Sequence, residues 1–222
     1  MIHIYTICDH AYFIHLQGLL YSFKHFTDVP FKFFVCDIGL TPKQREYITN
    51  RFPWVAPEII PWDAGDRASY LFKISVFQHA LDNPCDFVMY QDSKNHLKQP
   101  LSRCIADLGD GDVLGIYNGV IEGEWTHDGC IANMGCEEFR HTGQITAGVW
   151  MSRYDRDFFE DMLRYGRDPE CLTPKGSRKE MAPSPRNHRQ DQSVFSLCIK
   201  KRGMKFVHKL FSSNHNTHYG CA

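Results

Sequence analysis

The chain alternates apolar runs of strand length with amphipathic segments of helical period, and this alternation limits its fold more than any other feature. HIYTIC at 3–8, FKFFVCDI at 31–38 and DFVMYQD at 86–92 have the length and composition of buried strands. Between them, 13–26 and 68–81 repeat apolar residues every three or four positions, as helices do. The pattern predicts an α/β three-layer sandwich in which helices flank a mostly parallel central sheet.

The second half of the chain continues the alternation around two irregular regions. A glycine-rich region at 118–143 precedes a strand at 144–152 and a helix at 156–166. The polar segment 168–189 contains four prolines and leads to a helix at 191–203. Because this segment is longer than an ordinary connection, we expect it to face a substrate.

Composition excludes several classes of protein. The net charge of −1 over 222 residues gives no basic field for nucleic acid. No apolar run approaches the ~20 residues of a membrane helix, and the N-terminus lacks the pattern of a signal peptide. The nine cysteines include no CxxC pair and are typical of reduced thiols. We expect a cytoplasmic protein with no nucleic-acid partner and no membrane span.

Three aspartates follow predicted strands directly, namely Asp9, Asp37 and Asp92. Since ligands bind at the carboxyl ends of parallel strands, the three together indicate a ligand cleft. Each could instead cap a turn or a helix, and that alternative stays open. The chain has no GxGxxG and no GxxxxGK[ST], so a dinucleotide fingerprint and a P-loop are both disfavoured.

Five segments, taken in order and spacing, resemble the nucleotide-sugar-dependent glycosyltransferases of GT-A fold over nearly the whole chain. They are TICDHAYF, SYLFKISVF, VMYQDSKNHL, QITAGVWMSR and HRQDQSVFSLCIKKRG. The resemblance implies a single GT-A-like domain over 1–222. Its nucleotide-sugar half would be roughly 1–117 and its acceptor half roughly 118–222.

The turn after the central strand departs from the pattern of the resembling family. That turn usually reads Asp-x-Asp and holds a divalent cation on the donor diphosphate, whereas here it reads Asp92, Ser93 and Lys94. The resemblance implies that all three contact the donor. Either Asp92 holds Mn²⁺ or Mg²⁺ with help from His215 or His218, or the Lys94 ammonium replaces the metal. Both alternatives stay open, as does a third in which Lys94 is only a solvated residue of the turn.

The same resemblance implies further donor contacts near the first strand and on the helix before the motif. Thr6 and Asp9 would meet the base and ribose, with Tyr12 and Asp37 as neighbouring contacts. Lys73 would face the diphosphate or the donor sugar. The alternatives are ordinary ones: Tyr12 could belong to the core, and Lys73 could lie on a solvent-exposed face.

The resemblance also implies that Asp191 is the catalytic carboxylate. In inverting GT-A enzymes a carboxylate near this position takes the proton of the acceptor hydroxyl, and we expect this role and inversion here. In retaining enzymes of similar shape, an Asp-Gln pair binds the acceptor or flanks the anomeric carbon, which would involve Gln192. A third interpretation makes Asp191 an N-cap residue only.

Acceptor and phosphate contacts are expected from three more segments. Trp125 and His127 lie in a segment whose composition is typical of sugar sites, and Gln144 opens a strand of small residues. His188 and Arg189 would form a basic rim that neutralises the leaving nucleoside diphosphate. The alternatives are a packed loop for Trp125 and a solvated loop for the rim.

These expectations together predict a glycosyltransferase. It would move a sugar from a nucleoside-diphosphate sugar, with UDP-sugar favoured, to the hydroxyl group of a carbohydrate acceptor. The chain could be one domain of a larger enzyme. The alternatives are a nucleotidyltransferase that forms nucleotide-sugars and a noncatalytic sugar- or nucleotide-binding module.

Overall fold

The computed structural model describes residues 1–53, 57–180 and 182–214. The strands are β1 (Ile2–Cys8), β2 (Phe31–Asp37), β3 (Glu58–Pro61), β4 (Phe87–Gln91), β5 (Asn95–Leu97), β6 (Val113–Ile121), β7 (Gly143–Arg153), β8 (Phe206–His208) and β9 (Ser212–Asn214). The helices are α1 (Phe13–Phe26), α2 (Pro42–Arg51), α3 (Leu71–Asp82), α4 (Leu101–Leu108), α5 (Glu122–Trp125), α6 (Asp128–Met134), α7 (Arg156–Gly166), α8 (Pro169–Leu172) and α9 (Asp191–Lys201). Short 3₁₀ turns lie at Arg67–Ser69 and Glu137–Phe139.

In the described residues, seven strands form one sheet in the order β3-β2-β1-β4-β7-β6-β8. β1 is parallel to β2 and β4, β2 is parallel to β3, and β6 is parallel to β8. β7 lies antiparallel between β4 and β6. The predicted fold class, a mostly parallel sheet between helices, is confirmed.

The sheet separates two hydrophobic cores because alternate residues of each strand point to opposite faces. On β1, Ile4 and Cys8 pack into the core that contains the apolar residues of α1, α2 and α4. Tyr5 and Ile7 enter the other core, with α3, α7 and α9. α1 shows why its sequence folds as a helix: its buried residues form one stripe at helical spacing, namely Leu16, Leu19, Leu20 and Phe23.

Four short elements were not predicted from the sequence, namely β5, β9, α5 and α8. β5 and β9 have three residues each and pair with one another outside the main sheet. α8 is a single turn inside the polar segment, where Asp168 accepts a hydrogen bond from the amide of Glu170. Segments this short do not show a hydrophobic period, so pattern analysis could not find them.

No helix in the described part of the chain is long and apolar enough to cross a bilayer. The eight cysteines of that part are free thiols, and all of them except Cys85 are buried. Free cysteines in such positions behave as small apolar residues of the core.

Candidate active site

The strand order reverses at β1, because β2 and β3 lie on one side of it and β4 on the other. β1 and β4 are parallel, so Asp9 and Asp92, which follow them, come to the same edge of the sheet. Ligands of open α/β sheets bind in the crevice at such a reversal. The fold therefore places both aspartates beside the most favourable position for a ligand.

Two adjoining cavities fill this crevice. The strand-end cavity, about 290 Å³, is lined by the ends of β1 and β4 and by residues of the 67–73 segment. The loop cavity, about 560 Å³, is lined by β7, by the start of α9 and by two basic residues of the polar segment. Tyr70, Lys73, Asp92 and Lys94 line both cavities. We call the two together the cleft, and their volumes are in the range of ligand sites.

Lys73 joins the two carboxylates expected to take part in catalysis and donor binding. It lies in the first turn of α3, and its Nζ is 2.8 Å from Asp92 Oδ1 and 3.5 Å from Asp191 Oδ2. Only 15 % of the Lys73 side chain is exposed. The tertiary structure thus brings three residues of distant sequence position into one partly buried charge cluster.

The charges of this cluster determine its protonation. Burial alone would lower the pKa of Lys73, but the charges of Asp191 and Asp92 outweigh it and hold that pKa well above the usual value. Burial raises the pKa of Asp191, and the nearby charge of Lys73 opposes that rise only in part. Lys73 is therefore a permanent ammonium, and Asp191 is a stronger base than an ordinary aspartate.

Three neighbours fix the position of Asp92. The hydroxyl group of Tyr90 donates to Asp92 Oδ1 at 2.9 Å, and the amide of Asp92 donates to the carbonyl of Gly148 at 2.8 Å. The Asn95 side chain donates to the same carbonyl at 2.8 Å. A Cβ atom at Gly148 would lie 2.8 Å from Asp92 Oδ2, so only glycine fits there without displacing the carboxylate.

At the other end of the cleft, Asp9 orders the turn after β1. Its Oδ1 accepts hydrogen bonds from the amides of Ala11 and Tyr12, at 3.0 and 3.1 Å. Arg67 donates to Asp9 Oδ2 at 2.5 Å and to the carbonyl of Ile38 at 2.7 Å. Tyr12 is half exposed and lines the strand-end cavity, so it does not belong to the core.

Two predicted donor contacts, Thr6 and Asp37, do not line the two cavities of the cleft, and their contact with the donor stays a prediction. Thr6 is fully buried within β1. Asp37 is buried in a turn: its Oδ1 accepts from the amides of Gly39 and Leu40, and Arg45 pairs with its Oδ2. Burial opposes ionisation of Asp37, but Arg45 and the two amides outweigh it and lower the pKa. Asp37 therefore shapes the turn beside the strand-end cavity.

Of the four predicted acceptor residues, Gln192 alone lines the cleft. Trp125 is 9 % exposed and packs beneath the guanidinium of Arg189, whose Cζ lies 4.3 Å from the ring centre. His127 caps α6 by accepting a hydrogen bond from the amide of Gly129. Gln144 is fully buried one layer behind Gln192. Packing occupies the side chains of Trp125 and Gln144 and capping occupies that of His127, and acceptor contact by these three residues stays a prediction.

The predicted basic rim is also changed by the structure. Arg189 lines the loop cavity together with Lys179. His188 is fully buried, and its Nδ1 accepts a hydrogen bond from the amide of His127 at 3.3 Å. Burial, and then the nearby His127, lower the pKa of His188 to about 4. A neutral, buried imidazole carries no charge for a diphosphate, whereas Arg189 keeps its charge at the cavity, and contact of either residue with the donor stays a prediction.

Several residues of the cleft were not predicted as site residues. Arg67 and Tyr70 come from the segment before α3, and Thr146 from β7. Tyr70 and Gln190 have positive φ angles of 60° and 40°, which cost energy in residues other than glycine and often mark functional sites. Tyr70 also stacks beneath Lys179, whose Nζ lies 4.1 Å from the ring centre. Tyr70 and Thr146 lie within SYLFKISVF and QITAGVWMSR, two of the segments that carry the resemblance, but nothing in those segments distinguishes them from their neighbours.

The donor set for a divalent cation is incomplete in the residues described. Among 1–53, 57–180 and 182–214, no three His, Cys, Asp or Glu side chains group to hold a metal. Asp92 Oδ1 already accepts a hydrogen bond from the Tyr90 hydroxyl and pairs with the Lys73 ammonium. His215 and His218, the other metal ligands considered, lie outside the described residues. A divalent cation at Asp92 and the Lys94 ammonium in its place therefore both stay predictions.

No protein-family model matches the chain, and no curated protein matches it significantly. Solved structures do match. The galactosyltransferase LgtC, in complex with donor and acceptor sugar analogues, superposes with a TM-score of 0.61 at 16 % identity, covering 88 % of this chain and 69 % of LgtC.

Two further structures agree. The bifunctional glycosyltransferase WbbM gives a TM-score of 0.65 at 14 % identity and covers 94 % of this chain but 38 % of its own. GlyE of Streptococcus pneumoniae TIGR4 gives a TM-score of 0.59 at 13 % identity, and the match covers 93 % of this chain and 44 % of GlyE. The chain has the GT-A-like fold of these glycosyltransferases.

Proposed function

We propose that the protein is a glycosyltransferase that moves a sugar from a nucleoside-diphosphate sugar to a hydroxyl group of a carbohydrate. The observation that carries this proposal is the cleft at the strand-order reversal, where Lys73 joins Asp92 to Asp191. The shared fold supports it. The neighbours named above are glycosyltransferases, and LgtC was solved with donor and acceptor analogues.

The charge of the cleft suits a diphosphate. Its described lining residues include five cations and three carboxylates. The cations are Arg67, Lys73, Lys94, Lys179 and Arg189, and the carboxylates are Asp9, Asp92 and Asp191. An excess of cationic groups inside low-dielectric walls attracts an anionic ligand. We propose that the nucleoside occupies the strand-end cavity and that the diphosphate lies beside Lys73 and Lys94.

For neutralisation of the diphosphate, we propose ammonium groups in place of a divalent cation. Lys73 is fixed between two carboxylates, and Lys94 lines both cavities. An ammonium is a compact point charge that binds phosphate oxygens directly. Transfer in excess EDTA at the rate seen without it is the expected result. Loss of transfer on chelation, restored by Mn²⁺, would show that a metal is required.

Asp191 is the proposed base. Its raised pKa and its position on the wall of the loop cavity suit removal of a proton from an acceptor hydroxyl. Direct attack by that hydroxyl would invert the anomeric centre, with Asp191 taking the proton and the nucleoside diphosphate leaving. The retaining alternative would use the pair formed with Gln192. The NMR coupling of the product's anomeric proton distinguishes inversion from retention.

The testing experiment combines binding and turnover. UDP-, GDP- and dTDP-sugars are screened by thermal shift, with UDP-sugar expected to bind, and the donors that bind are assayed for transfer to saccharide acceptors. Asp191→Asn should keep donor binding and lower kcat by roughly 10²–10⁴. Glu46→Gln, on the exposed part of α2, is the control. Donor binding without transfer in the wild-type protein would indicate a binding module instead.

A further inference from the structure

A buried carboxylate lies behind the wall of the loop cavity. Glu122, on α5, is fully buried, and its Oε1 is 2.6 Å from Lys200 Nζ. The hydroxyl group of Ser196 donates to the same oxygen. Thr126 donates to Oε2 at 2.7 Å. Because an ionised carboxylate only accepts hydrogen bonds, each of its neighbours must present a donor.

This requirement fixes the orientation of the next residue, Gln144. Its Nε2 donates to Glu122 Oε2 at 3.2 Å and to the hydroxyl oxygen of Thr126 at 3.0 Å. Its Oε1 therefore faces the opposite way. There it accepts from the side-chain amides of Asn118, at 3.0 Å, and Gln192, at 2.7 Å.

The orientation of the Gln144 amide determines that of the Gln192 amide in the cleft. Since the Gln192 NH₂ group donates to Gln144, its carbonyl oxygen is the atom left for the other side. That oxygen accepts from the hydroxyl of Thr146 at 3.2 Å. Gln192 and Thr146 line the loop cavity beside Asp191 and Lys73. A chain of hydrogen bonds thus connects a buried ion pair to the polarity of one amide in the cleft.

We propose that Glu122 and Gln144 are positioning residues that hold the carbonyl oxygen of Gln192, and not its NH₂ group, toward the cleft. The role in transfer rests on the proposed function. A carbonyl oxygen there accepts a hydrogen bond from a sugar hydroxyl, or stabilises positive charge developing at the transferred carbon. An NH₂ group would oppose that charge.

Glu122→Gln tests the proposal. It keeps the shape of the side chain, but the atom that faces Gln144 becomes a hydrogen-bond donor instead of an acceptor. The new amide would keep its oxygen toward Lys200 and Ser196, which both donate to it. Its NH₂ group would then face Gln144 and turn that amide over. Gln192 would follow, and its NH₂ group would point into the cleft.

Two measurements report this reversal. In ¹⁵N-labelled protein, exchange of the Gln192 side-chain NH₂ protons with water should become about tenfold faster in the Glu122→Gln variant, since one hydrogen bond is lost. The signals are assigned as those missing from Gln192→Met. In the transfer assay, kcat should fall by about tenfold or more with little change in the donor KM.

Asp107→Asn is the matched control. Asp107 is also a carboxylate with a 4 % exposed side chain; it pairs with Lys209 at 2.7 Å and accepts from Gln99 at 2.9 Å, and it does not line the cleft. The Asp107→Asn variant should lose stability as the Glu122→Gln variant does, but its Gln192 amide exchange and its kcat should stay unchanged. If Glu122→Gln does not fold, Gln144→Met replaces it, because loss of the acceptor must also speed exchange.

Unchanged exchange in the folded variant would overturn the proposal, as would a fall in kcat no larger than that of the control. The exchange measurement needs no substrate. It therefore tests the positioning chain even if the protein transfers no sugar, and the failure of one proposal is distinguishable from the failure of the other.

Discussion

Replacing Lys73 by methionine is expected to destabilise the protein strongly at neutral pH. The change keeps the length and apolar stem of the side chain and removes the ammonium from between Asp92 and Asp191. The two carboxylates then remain in a region that is mostly closed to water, since their side chains are 24 % and 10 % exposed. The buried charges would no longer be compensated.

The distances give the size of the effect. At an effective dielectric constant near 20, separations of 2.8 and 3.5 Å correspond to about 6 and about 5 kcal/mol of attraction. Desolvation of the three groups offsets most of this gain. Removal of one partner of a buried pair typically costs ~3–5 kcal/mol, and we expect the free energy of unfolding to fall by that amount.

The loss should depend on pH with a definite sign. Without Lys73, burial and the charge of Asp92 raise the pKa of Asp191 further. Above the unfolded-state pKa of about 3.9, the folded variant retains a proton that the unfolded chain has released, so its stability falls as pH rises through the folded-state pKa. The difference from wild type should therefore be larger at about pH 7.5 than at about pH 4.5.

Urea unfolding followed by tryptophan fluorescence at both pH values measures the difference. Lys94→Met is the matched control, because Lys94 lines the same cleft and has no ion pair within the described residues. It should change stability by no more than about 0.5 kcal/mol. A Lys73→Met variant as stable as this control at neutral pH would refute the argument.

Three further results are expected. Gly148→Ala should lower kcat by about 10²-fold, because its Cβ would meet Asp92 Oδ2 at 2.8 Å and displace that carboxylate. The pKa of His188 is about 4 in the folded protein, whereas an ordinary histidine has a pKa of 6.5. About 3 kcal/mol of stability, present above pH 6.5, should therefore be lost as the pH falls to about 4. His188→Gln should lack that loss in urea titrations. Arg67→Gln should raise the donor KM about tenfold, because Asp9 loses the partner that holds it at 2.5 Å.

Each of these results has an internal control. Gly115→Ala, on β6, introduces a Cβ 3.1 Å from the Phe206 ring and should leave kcat unchanged. Equal acid sensitivity of wild type and His188→Gln would contradict the assignment of a neutral buried imidazole. Arg103→Gln, an exposed arginine on α4, should leave the donor KM unchanged.

The sequence predicted the order of the longer elements and the fold class because each long element repeats its own period. β1, α1 and β2 lie within one or two residues of their predicted ranges. β5, β9, α5 and α8 were missed because three or four residues do not complete a recognisable pattern. The sequence also indicated a ligand edge, since aspartates after parallel strands share one side of the sheet.

The individual roles were less accessible from sequence. Asp37 follows a strand as Asp9 does, yet it is sealed in a turn by Arg45 and two amides, whereas Asp9 lines the cleft. His188 and Arg189 are neighbours in sequence, but the first is buried and the second lines the cavity. Such differences come from side-chain direction and packing, which adjacency in sequence does not determine.

The sequence by itself determined the layers, the strand ends and the supply of charged residues, because these depend on local period and composition. Only the tertiary structure decided which charges meet. Lys73, Asp92 and Asp191 belong to α3, the end of β4 and the start of α9, and they are joined only because the sheet brings these elements together. The orientation of Gln192 depends in the same way on a carboxylate 70 residues away, since a hydrogen bond needs proximity in space and not along the chain.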